Sequence, residues 1–114
     1  MMKVLVTGTK GQLGYDALHE LMKRGHEAVG VDIKEMDITD GMAVEKILRK
    51  INPDAVIHCA AWIAVDLAED EANKKLVYAI NTTGTESIAR ICNELNCKMI
   101  YIMAWKINKK NGNE

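Results

Sequence analysis

Apolar positions along the chain follow two rhythms: short continuous runs, and longer stretches in which they recur every three or four residues. Lys3-Val4-Leu5-Val6-Thr7 is a short run that ends at a glycine cluster, the pattern of a buried parallel strand. From Gln12 to Arg24, Leu13, Ala17, Leu18, Leu21 and Met22 return at helical spacing, and Gly25 supplies a stop. Glu27 to Asp32 reads as a second strand. Asp40 is placed to cap a helix over Gly41 to Ile51, where Val44, Ile47, Leu48 and Ile51 form one stripe. Asn52-Pro53-Asp54 breaks that helix, and Ala55-Val56-Ile57-His58 is a third strand. A long helix is expected over roughly Asp70 to Leu95, with Leu76, Ala79, Ile80, Ile88, Ile91, Cys92 and Leu95 on its buried face and Gly84 as a point of close packing. Lys98 to Met103 closes the pattern as a fourth strand. The order βαβαβαβ, joined by right-handed crossovers, predicts a parallel sheet with helices on both faces.

The length of 114 residues suits one domain, expected over residues 1–105. Residues 106–114 read KINKKNGNE, polar and lysine-rich, and are expected to fray. A hydrophobic share of 48% beside 27% charged residues fits a chain with a real core. A net charge of −1 gives no bulk attraction to nucleic acid or to acidic membranes. The longest apolar run, Met99 to Trp105, is too short to span a bilayer, and the first residues lack a signal peptide's apolar stretch, so a cytoplasmic location is expected. Cys59, Cys92 and Cys97 contain no C-x-x-C pair and are expected to be reduced and mostly buried, with no metal site.

The first strand runs into Gly8-Thr9-Lys10-Gly11-Gln12-Leu13-Gly14, a G-x-x-G-x-x-G loop that opens a helix. Glycines there keep the turn tight and let backbone approach a pyrophosphate, to which the helix N-terminus offers N–H groups and partial positive charge. Asp32 ends the second strand 18 residues after Gly14, where an adenosine ribose would present its hydroxyls. A glycine turn of purely structural purpose is the bland alternative. A carboxylate at Asp32 tilts the cofactor toward NAD by repelling a 2′-phosphate, while Lys10 and Lys34 offset that repulsion and admit NADP.

Further segments follow in a fixed order: Val6 to Gly14 (VTGTKGQLG), Asp37 to Asp40 (DITD), Pro53 to Trp62 (PDAVIHCAAW), Ala64 to Glu69 (AVDLAE), Ala79 to Thr85 (AINTTGT) and Lys98 to Ile102 (KMIYI). Together they resemble the dTDP-4-dehydrorhamnose reductases, a branch of the extended short-chain dehydrogenases, over residues 2 to 102. The resemblance implies an α/β fold, a Rossmann-like doubly wound parallel sheet, here cut to about four strands. It implies that Gly8, Gly11, Gln12, Leu13 and Gly14 hold the pyrophosphate of NAD or NADP. It places Asp37 and Ile38 beside the adenine, and Cys59, Ala60 and Ala61 along the cofactor. Such enzymes reduce the 4-keto group of a nucleotide-linked deoxysugar, with a tyrosine relaying the proton.

The departures bear on turnover. Where the family carries Ser-Thr-Asp-Tyr-Val-Phe, this chain has Met103-Ala104-Trp105-Lys106-Ile107, without a hydroxyl. No Tyr-x-x-x-Lys pair occurs, Ile63 replaces a polar family position, and the sugar-binding region is missing. The expectation is a truncated, cofactor-binding piece with no catalytic residues and no turnover of its own. The alternative is a non-catalytic dinucleotide-sensing or protein-interaction module, with a homodimer or a partner chain at the exposed fourth-strand edge.

Other residues have both a sharp and a bland reading. His58 is either a base or, as favoured, a hydrogen-bonded histidine in the crevice at the strand ends. His19 and His26 read as helix-surface and loop residues. Asp66, Glu69, Asp70 and Glu71 read as an acidic first helical turn rather than a metal cluster. Asn81 resembles the family's supporting asparagine, and Trp62 and Trp105 read as packing residues. A receiver domain would need an acidic phosphoacceptor where His58 and Cys59 stand, and is set aside.

Overall fold

The structure, a computed structural model, describes residues 1–32, 34–60 and 71–103, leaving aside the side chains of 60, 71–81 and 103. Strand β1 (Lys3–Thr7) is followed by α1 (Gln12–Lys23), β2 (Glu27–Val31), α2 (Gly41–Ile51), β3 (Ala55–Ala60), α3 (Glu71–Leu95) and β4 (Lys98–Met103). Trp62, Ile63, Asp66, Glu69, Asp70, Trp105 and the tail 106–114 lie outside the described residues.

Each expected element is present, with three local differences. β2 stops at Val31, because the Asp32 carbonyl accepts the amides of Glu35 (3.0 Å) and Met36 (2.8 Å) and turns the chain. β3 runs on to Ala60, since Cys59 pairs with Ile102 and Ala60 with Met103. Met22 belongs by spacing to the apolar stripe of α1 but is 54% exposed, because it sits on the flank of the line made by Leu13, Ala17, Leu18 and Leu21. The helix ends follow local chemistry. Asp40 caps α2 by accepting the amides of Met42 (3.1 Å) and Ala43 (3.3 Å), a cap that contributes about 1 kcal/mol. Asn52 closes α2 in the left-handed region at φ 50.

The strands lie parallel in the order β2-β1-β3-β4. The chain steps outward from β1 to β2, then crosses back over β1 to β3. Its direction of travel reverses between β1 and β3, which makes the C-terminal ends of those two strands the topological switch point, where open α/β sheets form their ligand crevice. Leu5, Val31 and Val56 point to one face, under Val44 and Leu48 of α2 and Ile88, Ile91 and Cys92 of α3. Val4, Val6, Ala55 and Cys59 point to the other, under Leu13, Ala17, Leu18 and Leu21 of α1. Gly84 is a point of close packing of α3: a Cβ there would lie 2.6 Å from Ile38 Cδ1.

Candidate functional site: the glycine loop at the switch point

The loop that leaves β1 has the geometry of a phosphate cradle. Gly8 sits at φ +73, and a Cβ there would lie 2.7 Å from the carbonyl oxygen of Cys59, so backbone conformation and neighbour both demand glycine. A Cβ on Gly14 would overlap the carbonyl oxygen of Gly8, so only glycine lets the first turn of α1 rest on the loop. The Gly8 amide donates to Val31 O (3.0 Å) and the Gly11 amide to Gly8 O (3.1 Å), tying the turn to the end of β2 and to itself.

Gly11 is the N-cap of α1 and has no side chain to cap with, and the first turn holds no acidic residue. The leading amides of α1, on Gln12, Leu13 and Gly14, therefore have no side-chain cap among the described residues and can serve an outside acceptor, with the helix dipole adding partial positive charge. The Gln12 side chain turns away to donate to Asp16 (2.9 Å), and Leu13 packs into the core under α1. Both therefore present backbone, not side chain, to the loop.

Asp32, just past β2, reaches the same loop. Its Oδ2 accepts the Lys10 amide at 2.8 Å, so the carboxylate braces the middle of the glycine loop. Glu35 Oε1 in turn accepts the Asp32 amide at 2.7 Å. Sequence reasoning identified Asp32 but missed this bond, which no periodicity signals.

The other candidates divide. Cys59 abuts Gly8 through its backbone, while its side chain joins the core and burial pushes its thiol pKa up. Ala60 ends β3, and Ala61 lies outside the described residues. Asp37 turns back on its own chain, accepting the Thr39 amide (3.0 Å) and hydroxyl (2.7 Å), and those two bonds hold its carboxyl below the usual range. Ile38 packs against the core under α2 and α3. No described contact joins Asp37 or Ile38 to the glycine loop. Cys92 and Cys97 are free thiols at the far end of α3, with Cys92 pushed up to about 12 chiefly by burial.

His58 is 2% exposed. Its Nδ1 lies 2.6 Å from the Thr7 hydroxyl, and Thr7 Oγ1 also accepts the Cys59 amide at 3.1 Å. Tyr101 stacks on the ring with centroids 5.3 Å apart. Burial pulls the His58 pKa down to about 4, so the imidazole is neutral near pH 7. It is a core histidine bonded at Nδ1, as its bland reading expects.

A βα glycine loop, an uncapped helix N-terminus and a carboxylate beyond β2 thus meet at the switch point of a parallel sheet. Residues 2–107 match the sequence model of the RmlD substrate binding domain family. The chain belongs to that family. Its resemblance to the dTDP-4-dehydrorhamnose reductases is also seen in individual proteins. The Mycobacterium tuberculosis dTDP-4-dehydrorhamnose reductase is 35% identical over 100 residues, which are 88% of this chain and 32% of that one. The crystal structure of the Bacillus anthracis dTDP-4-dehydrorhamnose reductase in complex with NADP superposes with a TM-score of 0.78 at 34% identity, covering 89% of this chain and 36% of that one. The Clostridium acetobutylicum orthologue gives 0.76 at 35% identity, over 86% and 34% of the two chains. This RmlD-family chain therefore has the Rossmann-like fold of those reductases and spans about a third of their length. Among the described residues no helix is long and apolar enough to cross a membrane.

Proposed function

We propose that the chain binds a nicotinamide dinucleotide at the glycine loop and, in its 114 residues, does not turn it over. The observation that carries the reading is the cradle itself. Gly8 and Gly14 leave no room for a Cβ, and the uncapped first turn of α1 supplies amides to a pyrophosphate. In this reading Gly8, Gly11, Gln12, Leu13 and Gly14 hold the pyrophosphate through backbone. Asp32, whose carboxylate accepts the Lys10 amide, takes the ribose hydroxyls. Asp37 and Ile38 flank the adenine, and Cys59, Ala60 and Ala61 line the path of the cofactor.

The cofactor's chemistry is hydride transfer. In a polypeptide as long as the relatives, the activity that fits is NAD(P)H-dependent reduction of a nucleotide-linked 4-ketosugar. These 114 residues hold no Tyr-x-x-x-Lys pair to supply the proton, which supports binding without turnover.

The choice between cofactors follows from Asp32. Its carboxylate alone favours NAD, but it is braced against the Lys10 amide in the loop, Lys34 follows it two residues on, and the Bacillus anthracis relative is in complex with NADP. NADPH is expected to bind at least as tightly as NADH. Fluorescence titration of both against the folded chain is the test, with Gly14→Ala expected to weaken binding by about tenfold or more, roughly 1.4 kcal/mol. No enhancement and no melting shift at millimolar NADPH would sink the proposal.

A second reading, association with a second copy or another chain through β4, is favoured by one observation. Among the described residues β4 is an edge strand, and Ile100 on it is 51% exposed. Sedimentation over rising concentration separates the two readings, since a monomer at all concentrations rejects self-association and leaves cofactor binding untouched.

A further inference from the structure

Two polar atoms in the core under α2 and α3 are buried and have no hydrogen-bond partner among the described residues: Nε2 of His58 and Oγ1 of Thr85. Buried polar groups without partners are rare because each forfeits its hydrogen bonds to water. Two in one layer of a small domain require an explanation.

The register puts them at the same level. On this face of the sheet, Leu5, Val56 and Met99 stand side by side as an apolar row. Two residues further toward the C-terminal ends, Thr7, His58 and Tyr101 form the next row, joined by the Thr7–His58 hydrogen bond and the His58–Tyr101 stack. α3 runs antiparallel to the strands, so moving toward its N-terminus means moving toward those same strand ends. Ile88 packs into the core cluster that contains Leu5 and Val56. Thr85 lies about one helical turn before Ile88, a rise of about 5 Å, against about 6–7 Å for two residues of strand.

Thr85 also faces the right way. Gly84 of α3 meets Ile38, Ser87 lies beside Gly41 at the start of α2, and Glu94 pairs with Arg49 of α2. The flank carrying 84, 87 and 94 is thus turned to α2 and the segment before it. Thr85, Ile88 and Cys92, at spacings of three and four, then share the flank turned to the sheet.

The protonation state follows from Thr7. Its oxygen accepts the Cys59 amide, so its single proton is free to donate to His58 Nδ1. Any other tautomer leaves that proton without an acceptor among the described residues. Nδ1 is then the acceptor, and Nε2 carries the hydrogen and needs an acceptor of its own.

We infer that an internal water molecule binds between His58 Nε2 and Thr85 Oγ1, accepting from the imidazole N–H and donating to the hydroxyl. One water of this kind satisfies both groups and ends a chain that runs from the Cys59 amide through Thr7 and His58 to α3. Cys59 is the residue against which Gly8 packs, so the water closes a polar link between α3 and the base of the glycine loop. The inference does not depend on what the loop binds.

A crystal structure of the full chain at about 1.5 Å or better tests it directly, by the standard that water needs two to four polar partners. Density for a water within hydrogen-bond reach of both atoms is the expected result. A dry gap, or a side chain of the polypeptide bonded to Nε2, overturns it. Histidine nitrogen chemical shifts measured near pH 7 give a second readout: His58 is expected as the Nε2–H tautomer, and an Nδ1–H tautomer contradicts the chain. Thr85→Val supplies a third. If the water is there, removing the hydroxyl strips it of a partner and lowers the Tm by about 4 °C or more. If the two atoms are dry orphans, the same change removes an unsatisfied group and raises the Tm, which refutes the bridge.

Discussion

On one face of the sheet, α2 and α3 set Val44, Leu48, Ile88, Ile91 and Cys92 over Leu5, Val31 and Val56, all at most 5% exposed. On the other, among the described residues, α1 sets Leu13, Ala17, Leu18 and Leu21, each only partly buried, over Val4, Val6, Ala55 and Cys59. β4 shares in the same inequality. Met99 packs against the first core, whereas Ile100, aligned with Ile57 on the α1 face, is 51% exposed. The difference assigns separate tasks to the two faces. The α2/α3 face carries most of the apolar burial that holds the domain together. The α1 face is thinner, and it is where the uncapped helix start and the glycine loop meet solvent.

The largest expected effect is a direct contrast of the two faces. Leu48→Ala removes a side chain that is 0% exposed and is expected to cost about 2–5 kcal/mol. Leu18→Ala, at a partly buried position under the other core, is expected to cost about half as much. Urea unfolding of both variants decides the matter, and equal losses would break the comparison. Stability is marginal in any domain of this size, so Leu48→Ala is expected to populate unfolded chain visibly near body temperature.

The α2/α3 face also ends in a buried imidazole, which the α1 face lacks among the described residues. The His58 pKa is depressed in the fold, from 6.5 to about 4, by burial. The unfolded chain therefore binds a proton that the folded chain refuses between those two values. Stability from this group is complete above pH about 6.5 and is lost as pH falls toward 4, by at most about 3 kcal/mol. His58→Gln removes the titration, so its unfolding free energy should fall less than that of the parent chain between pH 7 and 4. Identical slopes would mean that the imidazole is already solvated. Tyr101→Ala should then have little effect on the His58 pKa, where the buried arrangement predicts a rise toward 6.5.

Much of this was legible because it is local. The glycine loop announces itself through its three glycines, two of which, Gly8 and Gly14, a close backbone approach requires, and Asp40 through its position before an amphipathic stripe. The strands of β1, β2, β3 and β4 were readable as short apolar runs. What could not be read are pairings between distant residues. The order β2-β1-β3-β4 depends on which strand the crossover lands beside, and Thr7 meets His58 across a separation of 51 residues. The Asp32 bond to the Lys10 amide is of the same kind, since a carboxylate after a strand looks alike in sequence whether it faces a ligand or a loop. Met22 shows the limit of periodicity itself: helical spacing marks a stripe but not its margins, and this residue fell on the solvent side.

The smallest effect on stability, and the sharpest probe of the thin face, is Ile100→Lys. If Ile100 lies open on an edge strand, lysine there displaces little packing and the unfolding free energy should change by no more than about 0.5 kcal/mol. A charge on an exposed edge strand also opposes strand-to-strand pairing, so any self-association of the chain should fall in the variant. The two readouts answer different questions. A loss above about 1.5 kcal/mol would mean that something covers the α1 side of β4, and the inequality between the faces would shrink. Unchanged stability with unchanged association would leave the faces unequal but remove β4 as the surface through which copies meet. Unchanged stability with weaker association is the expected pair, and it would locate self-association on the α1 side of β4.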